Sequence, residues 1–208
     1  ADLRTHGVRA LPRYLLAKAD VIASFDADFL GAWISPVEYT SAYSEARAVE
    51  AQPTRFARHV QMESRMSLTG MKADRRVILA PSEIAAALEH LAVNLARKAG
   101  SPALPAAGVS VPASAAEALD ALTGDLWAAR GRSLVVCGIP DTGAQVLCNF
   151  VNHLLGNYGA TLDLSTPSYQ KQGDDRDVAA LIGELKTGKV AALFLHGVNP
   201  LADFPGGE

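Results

Sequence analysis

The run Val190-Ala-Ala-Leu-Phe-Leu-His-Gly-Val-Asn-Pro200 constrains the fold more than any other stretch of this chain. Six apolar residues lead directly into a His-Gly-Val-Asn-Pro loop. A short, unbroken apolar run closed by turn residues reads as a strand buried on both faces, the kind that parallel sheets require. Asp20-Val-Ile-Ala-Ser-Phe25 repeats the design and runs into Asp26-Ala-Asp-Phe-Leu-Gly31, and Ser133-Leu-Val-Val-Cys-Gly138 repeats it again. In open α/β folds, ligands sit in the loops just beyond the carboxyl ends of such strands. The loops therefore carry whatever chemistry the chain has.

The second half reads as βαβαβ. Strand 133–138 is followed by a helix with Asp141 at its N-cap. Leu147, Phe150, Val151, Leu154 and Leu155 form the apolar stripe of that helix, and Gly156-Asn-Tyr-Gly159 ends it. A short strand at 160–164, a helix at 174–186 striped by Val178, Leu181, Ile182 and Leu185, and the strand at 190–195 complete the unit. The first half has strands at 20–25, 58–63 and 76–80. Its helices lie around 36–47 and from Pro81 onward, the latter striped by Ile84, Leu88, Leu91 and Leu95. Residues 100–113, rich in Gly and Pro, read as a linker, and a helix follows from about Ser114 to Arg130. The expectation is a single α/β domain over 1–208, a doubly wound, mainly parallel Rossmann-like sheet with helices on both faces. Its first βα half is 12–99 and its second half 114–208. The absence of an initiating Met and the stop at Pro205-Gly-Gly-Glu208 read as a domain excised from a longer polypeptide.

A net charge of −3 gives no electrostatic footprint for nucleic acid. No apolar run approaches the ~18–20 residues that span a bilayer, so no direct membrane insertion is expected. Two cysteines, Cys137 and Cys148, are too few for an iron–sulfur cluster or a four-cysteine zinc site held by this segment alone. They read as small buried hydrophobes, with a disulfide as the alternative.

No G-x-S-x-G elbow, Walker loop, H-E-x-x-H or G-x-G-x-x-G motif is present. No catalytic or metal-ligating residue is assigned. Of the five histidines (6, 59, 90, 153 and 196), only His196 lies in a strand-end loop. A dinucleotide at the carboxyl edge needs backbone N–H donors for its phosphates and an acidic residue for a ribose. Glu63, at the end of the second strand, suits the ribose, while Thr69-Gly70 and Gly138 allow close backbone approach. Asp26 and Asp28 stand where a pyrophosphate would lie. Two like charges at ~5 Å cost on the order of 1–3 kcal/mol at intermediate dielectric, and turn-forming or capping aspartates explain the pair equally well.

Four segments, Asp20–Gly31, Glu63–Asp74, Leu155-Gly-Asn-Tyr-Gly159 and Leu195-His-Gly-Val-Asn-Pro200, resemble the molybdopterin oxidoreductase family. The likeness runs from about Pro12 to Pro205. It is narrowest to the molybdopterin-type part of the large iron–sulfur subunit of alternative complex III-like quinol:electron acceptor oxidoreductases. The resemblance implies that Asp26, Asp28, Glu63, Arg65, Thr69, His196 and Asn199 line the path of a molybdopterin guanine dinucleotide in cofactor-bearing relatives, and Gly138 joins them as a candidate on its close backbone approach. It also implies a membrane-associated respiratory complex on the periplasmic side of the inner membrane. The partners would be its other subunits and further domains of the same polypeptide, which carry the iron–sulfur clusters.

The chain departs from the catalytic pattern. A Gly-x-Asn-Pro type loop is expected after the first strand, and Asp26-Ala-Asp-Phe29 stands there. No molybdenum-ligating Ser, Cys or selenocysteine occurs in 1–19. The expectation is a non-catalytic scaffold domain that keeps the fold without the cofactor. The alternative is an active molybdopterin guanine dinucleotide-binding domain of an oxidoreductase.

Overall fold

The computed structural model describes residues 2–7, 9–50, 56–102, 110–170 and 173–203. They fall into two compact units, 1–171 and 172–208. In chain order the first unit contains α1 (Asp2–His6), β1 (Leu11–Tyr14), a 3-10 turn (Leu16–Lys18), β2 (Val21–Phe25), α2 (Pro36–Ala46), β3 (Arg58–Glu63) and α3 (Leu68–Lys72). There follow β4 (Arg75–Ile78), α4 (Pro81–Lys98), α5 (Ala113–Ala128), β5 (Ser133–Cys137), α6 (Thr142–Leu154) and β6 (Leu162–Ser168). The second unit holds α7 (Asp175–Lys186) and a short α8 (Pro200–Asp203). Most of the segment read as a linker, 103–109, lies outside the described residues.

Four strands form a parallel sheet in the order β4-β3-β2-β5, with helices on both faces. The fold is α/β and Rossmann-like, as the strand pattern implies. Val21, Ala23 and Phe25 of β2, Val60 and Met62 of β3, and Val135 and Cys137 of β5 face a core closed by α4, α5 and α6. Ile22, Leu134 and Val136 point the other way, against Phe29, Tyr39, Tyr43 and Leu162. A strand buried on both faces cannot alternate apolar with polar residues, so β2 and β5 read as continuous apolar runs. The order reverses between β2 and β5. The chain leaves β2 through α2 toward β3, and returns to β5 through α4 and α5. That reversal defines the topological switch point.

The helices begin where the sequence supplies caps. Asp141 accepts from the Ala144 amide at 2.8 Å to start α6. Glu83 accepts from the Ala80 amide at 2.7 Å to start α4, and Asp174 accepts from the Arg176 amide at 3.0 Å to start α7. Each satisfies an N–H that the first turn would otherwise leave without a partner.

Two strand assignments change. Residues 162–168 do not extend the parallel sheet. They pair antiparallel with β1, Tyr14 opposite Leu162 and Leu11 opposite Ser168. The physical reason lies at the outer edge of β5, where side chains hold the ladder positions a fifth strand would use. The Asn152 amide accepts from the Val135 N–H at 3.1 Å and donates to the Val135 carbonyl at 2.8 Å, as a neighbouring peptide would. The Thr161 hydroxyl donates to the Ser133 carbonyl, and the Gln145 amide to the Cys137 carbonyl. The second change concerns 190–195, which carries no strand pairing. Leu193, Phe194 and Leu195 are exposed, as are Val178, Leu181 and Leu185 of α7. Apolar character alone creates a demand for burial without specifying the partner that meets it.

Candidate functional site

The carboxyl edge of the sheet gathers the loops 26–35, 64–67 and 138–141, which follow β2, β3 and β5. Of the residues singled out from the sequence, Asp26, Asp28, Glu63, Arg65, Thr69 and Gly138 lie at this edge. His196 and Asn199 belong to the second unit, where both are exposed. There the Asn199 carbonyl accepts from the amides of Ala202 and Asp203 at the start of α8.

Glu63 is the best-defined group at the edge. It is 1% exposed, and each carboxylate oxygen accepts two hydrogen bonds. Oε1 takes the Ser67 amide at 3.2 Å and the Arg76 guanidinium, while Oε2 takes the Ser67 hydroxyl at 2.5 Å and the Gln61 amide at 3.3 Å. Burial pushes the Glu63 carboxyl up, and the bonds from Ser67 and Arg76 outweigh it, holding the group below the usual carboxylate range. Four bonds fill the acceptor capacity of a carboxylate. No lone pair is left for a ribose hydroxyl. Gly70 packs directly on this carboxylate, and a Cβ there would lie 2.0 Å from Oε1.

Asp28 is also committed. Its Oδ1 accepts from both the amide (3.1 Å) and the hydroxyl (2.8 Å) of Thr69, whose Oγ1 in turn accepts from the Leu30 amide at 2.9 Å. The Asp28 carbonyl accepts from the amides of Gly31, Ala32 and Trp33, so the residue winds its own loop into a compact turn.

Asp26 adopts φ +53°, the left-handed region that disfavours a Cβ. Its carboxyl is raised by burial, lowered by Arg65 and raised again by Glu63. Asp26→Gly removes the Cβ and a partly desolvated carboxylate, and is expected to raise stability by roughly 0.5–1 kcal/mol. Urea unfolding checks it. A loss of stability would mean that the carboxylate contributes more than the strained backbone costs.

Between Asp26 and Gly138 the switch point is shut by main chain. The Gly138 amide donates to the Phe25 carbonyl at 2.8 Å, and the Asp26 amide to the Met62 carbonyl at 2.8 Å. A Cβ on Gly138 would stand 2.1 Å from the Asp26 carbonyl oxygen and 2.9 Å from the Ala27 Cα. Ala27 and Phe29 are fully buried beneath this contact.

A molybdopterin guanine dinucleotide would need donors for its phosphates and an acceptor for its ribose. The amides of Asp26, Leu30, Thr69, Gly70 and Gly138 all donate within the protein. Glu63 is saturated, and the Asp28 carboxylate is turned onto Thr69. These residues do not fit the cofactor. An open groove of about 540 Å³ beside the loop is lined by Leu30, Gly31, Val37, Thr40 and Ser44, among others, and has no charged side chain to hold a phosphate. No group of three or more His, Cys, Asp or Glu able to hold a metal occurs among the described residues. None of their helices is long and apolar enough to cross a membrane.

One feature was missed in reading the sequence. His59, Gln61 and Glu63 alternate along β3, share one face and are all buried. His59 Nδ1 lies 3.1 Å from the Tyr43 hydroxyl and Nε2 lies 3.3 Å from Gln61 Oε1. The ladder runs on through Gln61 to Glu63. Its signal was in the sequence, as polar residues at a period of two inside Arg58-His-Val-Gln-Met-Glu63. Neither a protein-family model nor a curated protein sequence matches this chain.

Proposed function

We propose that this chain is a non-catalytic scaffold domain, of the molybdopterin-oxidoreductase type, in the iron–sulfur subunit of a membrane-associated respiratory oxidoreductase. In this reading the domain has lost the cofactor and supports electron-transfer modules carried elsewhere in the polypeptide. The complex faces the periplasm. The family assignment rests on the resemblance of the strand-end segments. The loss of the cofactor is supported by one observation above all: the Asp26–Ala27 main chain packs on Gly138 where a dinucleotide would enter. A site whose acceptors and donors are already satisfied gains little from a ligand that must break those bonds to enter.

Metal and pterin analysis of the full-length protein, purified from its native host, tests the reading. The expected result is no molybdenum or tungsten and no fluorescent pterin oxidation product, alongside iron and acid-labile sulfide. Stoichiometric molybdenum together with the pterin product overturns it.

A further inference from the structure

Along the buried face of β3 the hydrogens available fall one short of the contacts they must fill. Tyr43, His59, Gln61 and Glu63 are all buried and follow one another at hydrogen-bond distance. Glu63 fixes the direction from its end. The bonds from Ser67 and Arg76 keep it an anion, and an anionic carboxylate only accepts. The Gln61 NH2 group therefore faces Glu63 Oε2, which turns Gln61 Oε1 toward His59 Nε2. An amide oxygen also only accepts, so Nε2 must carry a hydrogen. A neutral imidazole has one such hydrogen, and Nδ1 is left a bare acceptor.

The Tyr43 hydroxyl stands beyond it with two acceptors in reach, His59 Nδ1 at 3.1 Å and the Lys72 carbonyl at 2.9 Å. It has a single proton to give. Nδ1 lies in the interior, whereas Lys72 is exposed at the end of α3. An acceptor sealed from water costs more to leave unpaired than one that water can reach, so the neutral ring takes the Tyr43 proton. A second proton on His59 reverses the choice. Nδ1–H then donates to the Tyr43 oxygen, the Tyr43 hydroxyl donates to Lys72, and every contact has one donor and one acceptor. Lys72 belongs to the helix that brings Ser67 to Glu63 and Thr69 to Asp28.

We infer that Tyr43 is a proton-directed clasp: it donates to His59 while the imidazole is neutral, and ties α3 to α2 through the Lys72 carbonyl when the imidazole is charged. Three charged groups face the ring. Arg47 reaches it from α2, Asp74 from the turn before β4, where its carboxylate takes the His59 amide at 2.7 Å, and Glu63 from β3 itself. Arg47 and Asp74 are paired with each other. Burial keeps the imidazole neutral down to about 4, so the first state is the one present at neutral pH. The clasp stands or falls separately from the scaffold reading, because proton positions and molybdenum content are measured independently.

Long-range 1H–15N correlation spectra of the labelled 208-residue chain at pH 7 read the tautomer. His59 should carry its hydrogen on Nε2 in at least about ten-fold excess over Nδ1, since the other tautomer sets two acceptors face to face in the core. Gln61→Leu removes the group that dictates the direction. His59 should then change to the Nδ1–H form, which frees the Tyr43 proton for Lys72 without acid. The Lys72 carbonyl 13C signal should move in that variant as it does in the unaltered chain on acid titration, where it should share one midpoint with His59 Nδ1. Tyr43→Phe should keep the Nε2–H form and hold the Lys72 signal still. An Nδ1–H imidazole in the unaltered chain, a Gln61→Leu variant that keeps Nε2–H, or a Lys72 carbonyl that moves as far in Tyr43→Phe as in the unaltered chain would each overturn the clasp. The first of these requires no variant, so the test holds if either substitution folds poorly.

Discussion

Gly138→Ala is expected to destabilise the protein by about 3 kcal/mol, toward the upper part of the range for overpacking, because main chain resists it on two sides. The added methyl would fall 2.1 Å from the Asp26 carbonyl oxygen and 2.7 Å from its carbonyl carbon. Neither atom can rotate away as a side chain would. To make room, the Asp26–Ala27 turn must move off β5, which stretches the bond from the Gly138 amide to the Phe25 carbonyl and disturbs Ala27 and Phe29 beneath it. In thermal unfolding the midpoint should fall by roughly 10 °C. Gly124→Ala is the matching control. Gly124 lies within α5 with nothing inside 4 Å of its added Cβ, so it should gain roughly 0.5–1 kcal/mol from helix propensity. Equal effects from the two substitutions would remove the claim that the switch point is closed by contact.

Acid should unfold the protein in two stages, the first set by His59. Burial pushes its imidazole down to about 4, a shift that the hydrogen bond to Gln61 only partly offsets. Arg47 pushes it further down, while Asp74 and Glu63 push it up. The Tyr43 hydroxyl and the Phe29 ring complete its surroundings. An unfolded chain takes up this proton near pH 6.5, so between about 6.5 and 4 the unfolded state binds more protons than the folded one. Stability is therefore complete above that window and falls as the pH drops through it, by about 3 kcal/mol in all. Glu63 and Asp74, both held below the usual carboxylate range, act with the same sign at lower pH. Asp26, raised by burial, acts with the opposite sign. Urea midpoints across pH 4–7 should show the slope, and His59→Leu should flatten it while leaving the lower-pH loss. Titration of the unaltered imidazole by NMR gives an independent reading. Protonation above pH 6 would show that the hydrogen-bond ladder outweighs desolvation, and would cancel the predicted first stage.

The sequence and the structure agree where local signals suffice. β2, β3 and β5 announce themselves as apolar or alternating runs between turn residues. Asp141 and Pro81 mark helix starts that the structure repeats. Long-range pairing was much harder to read. Leu11-Pro-Arg-Tyr14 has too little pattern to stand out as a strand, and Pro167 inside β6 argues against one. The two nevertheless pair. The apolar run at 190–195 shows the converse, a strong local pattern with no strand partner among the described residues. At the carboxyl edge, strand order alone brought six of the eight chosen residues together. It could not tell that Asp28 would turn onto Thr69, or that four donors would converge on Glu63. Those outcomes depend on loops placed by tertiary packing, and the sequence separations of 41 and 13 residues carry no local trace of them.

The amide of Asn152 has a consequence for how wide this sheet can grow. By copying the donor and acceptor of a peptide group at Val135, one helical side chain gives β5 a finished border. An unfinished border invites strands from other molecules, and proteins commonly discourage them with charge or proline. Here the deterrent is mimicry, reinforced by Asn157, whose side chain donates to Asn152 Oδ1 at 2.8 Å and fixes its orientation. The border of the layer at β5 thus rests on side chains, with the group at position 152 holding its middle and Thr161 and Gln145 its two ends. The sheet ends at β5 because its last neighbour is a side chain posing as backbone.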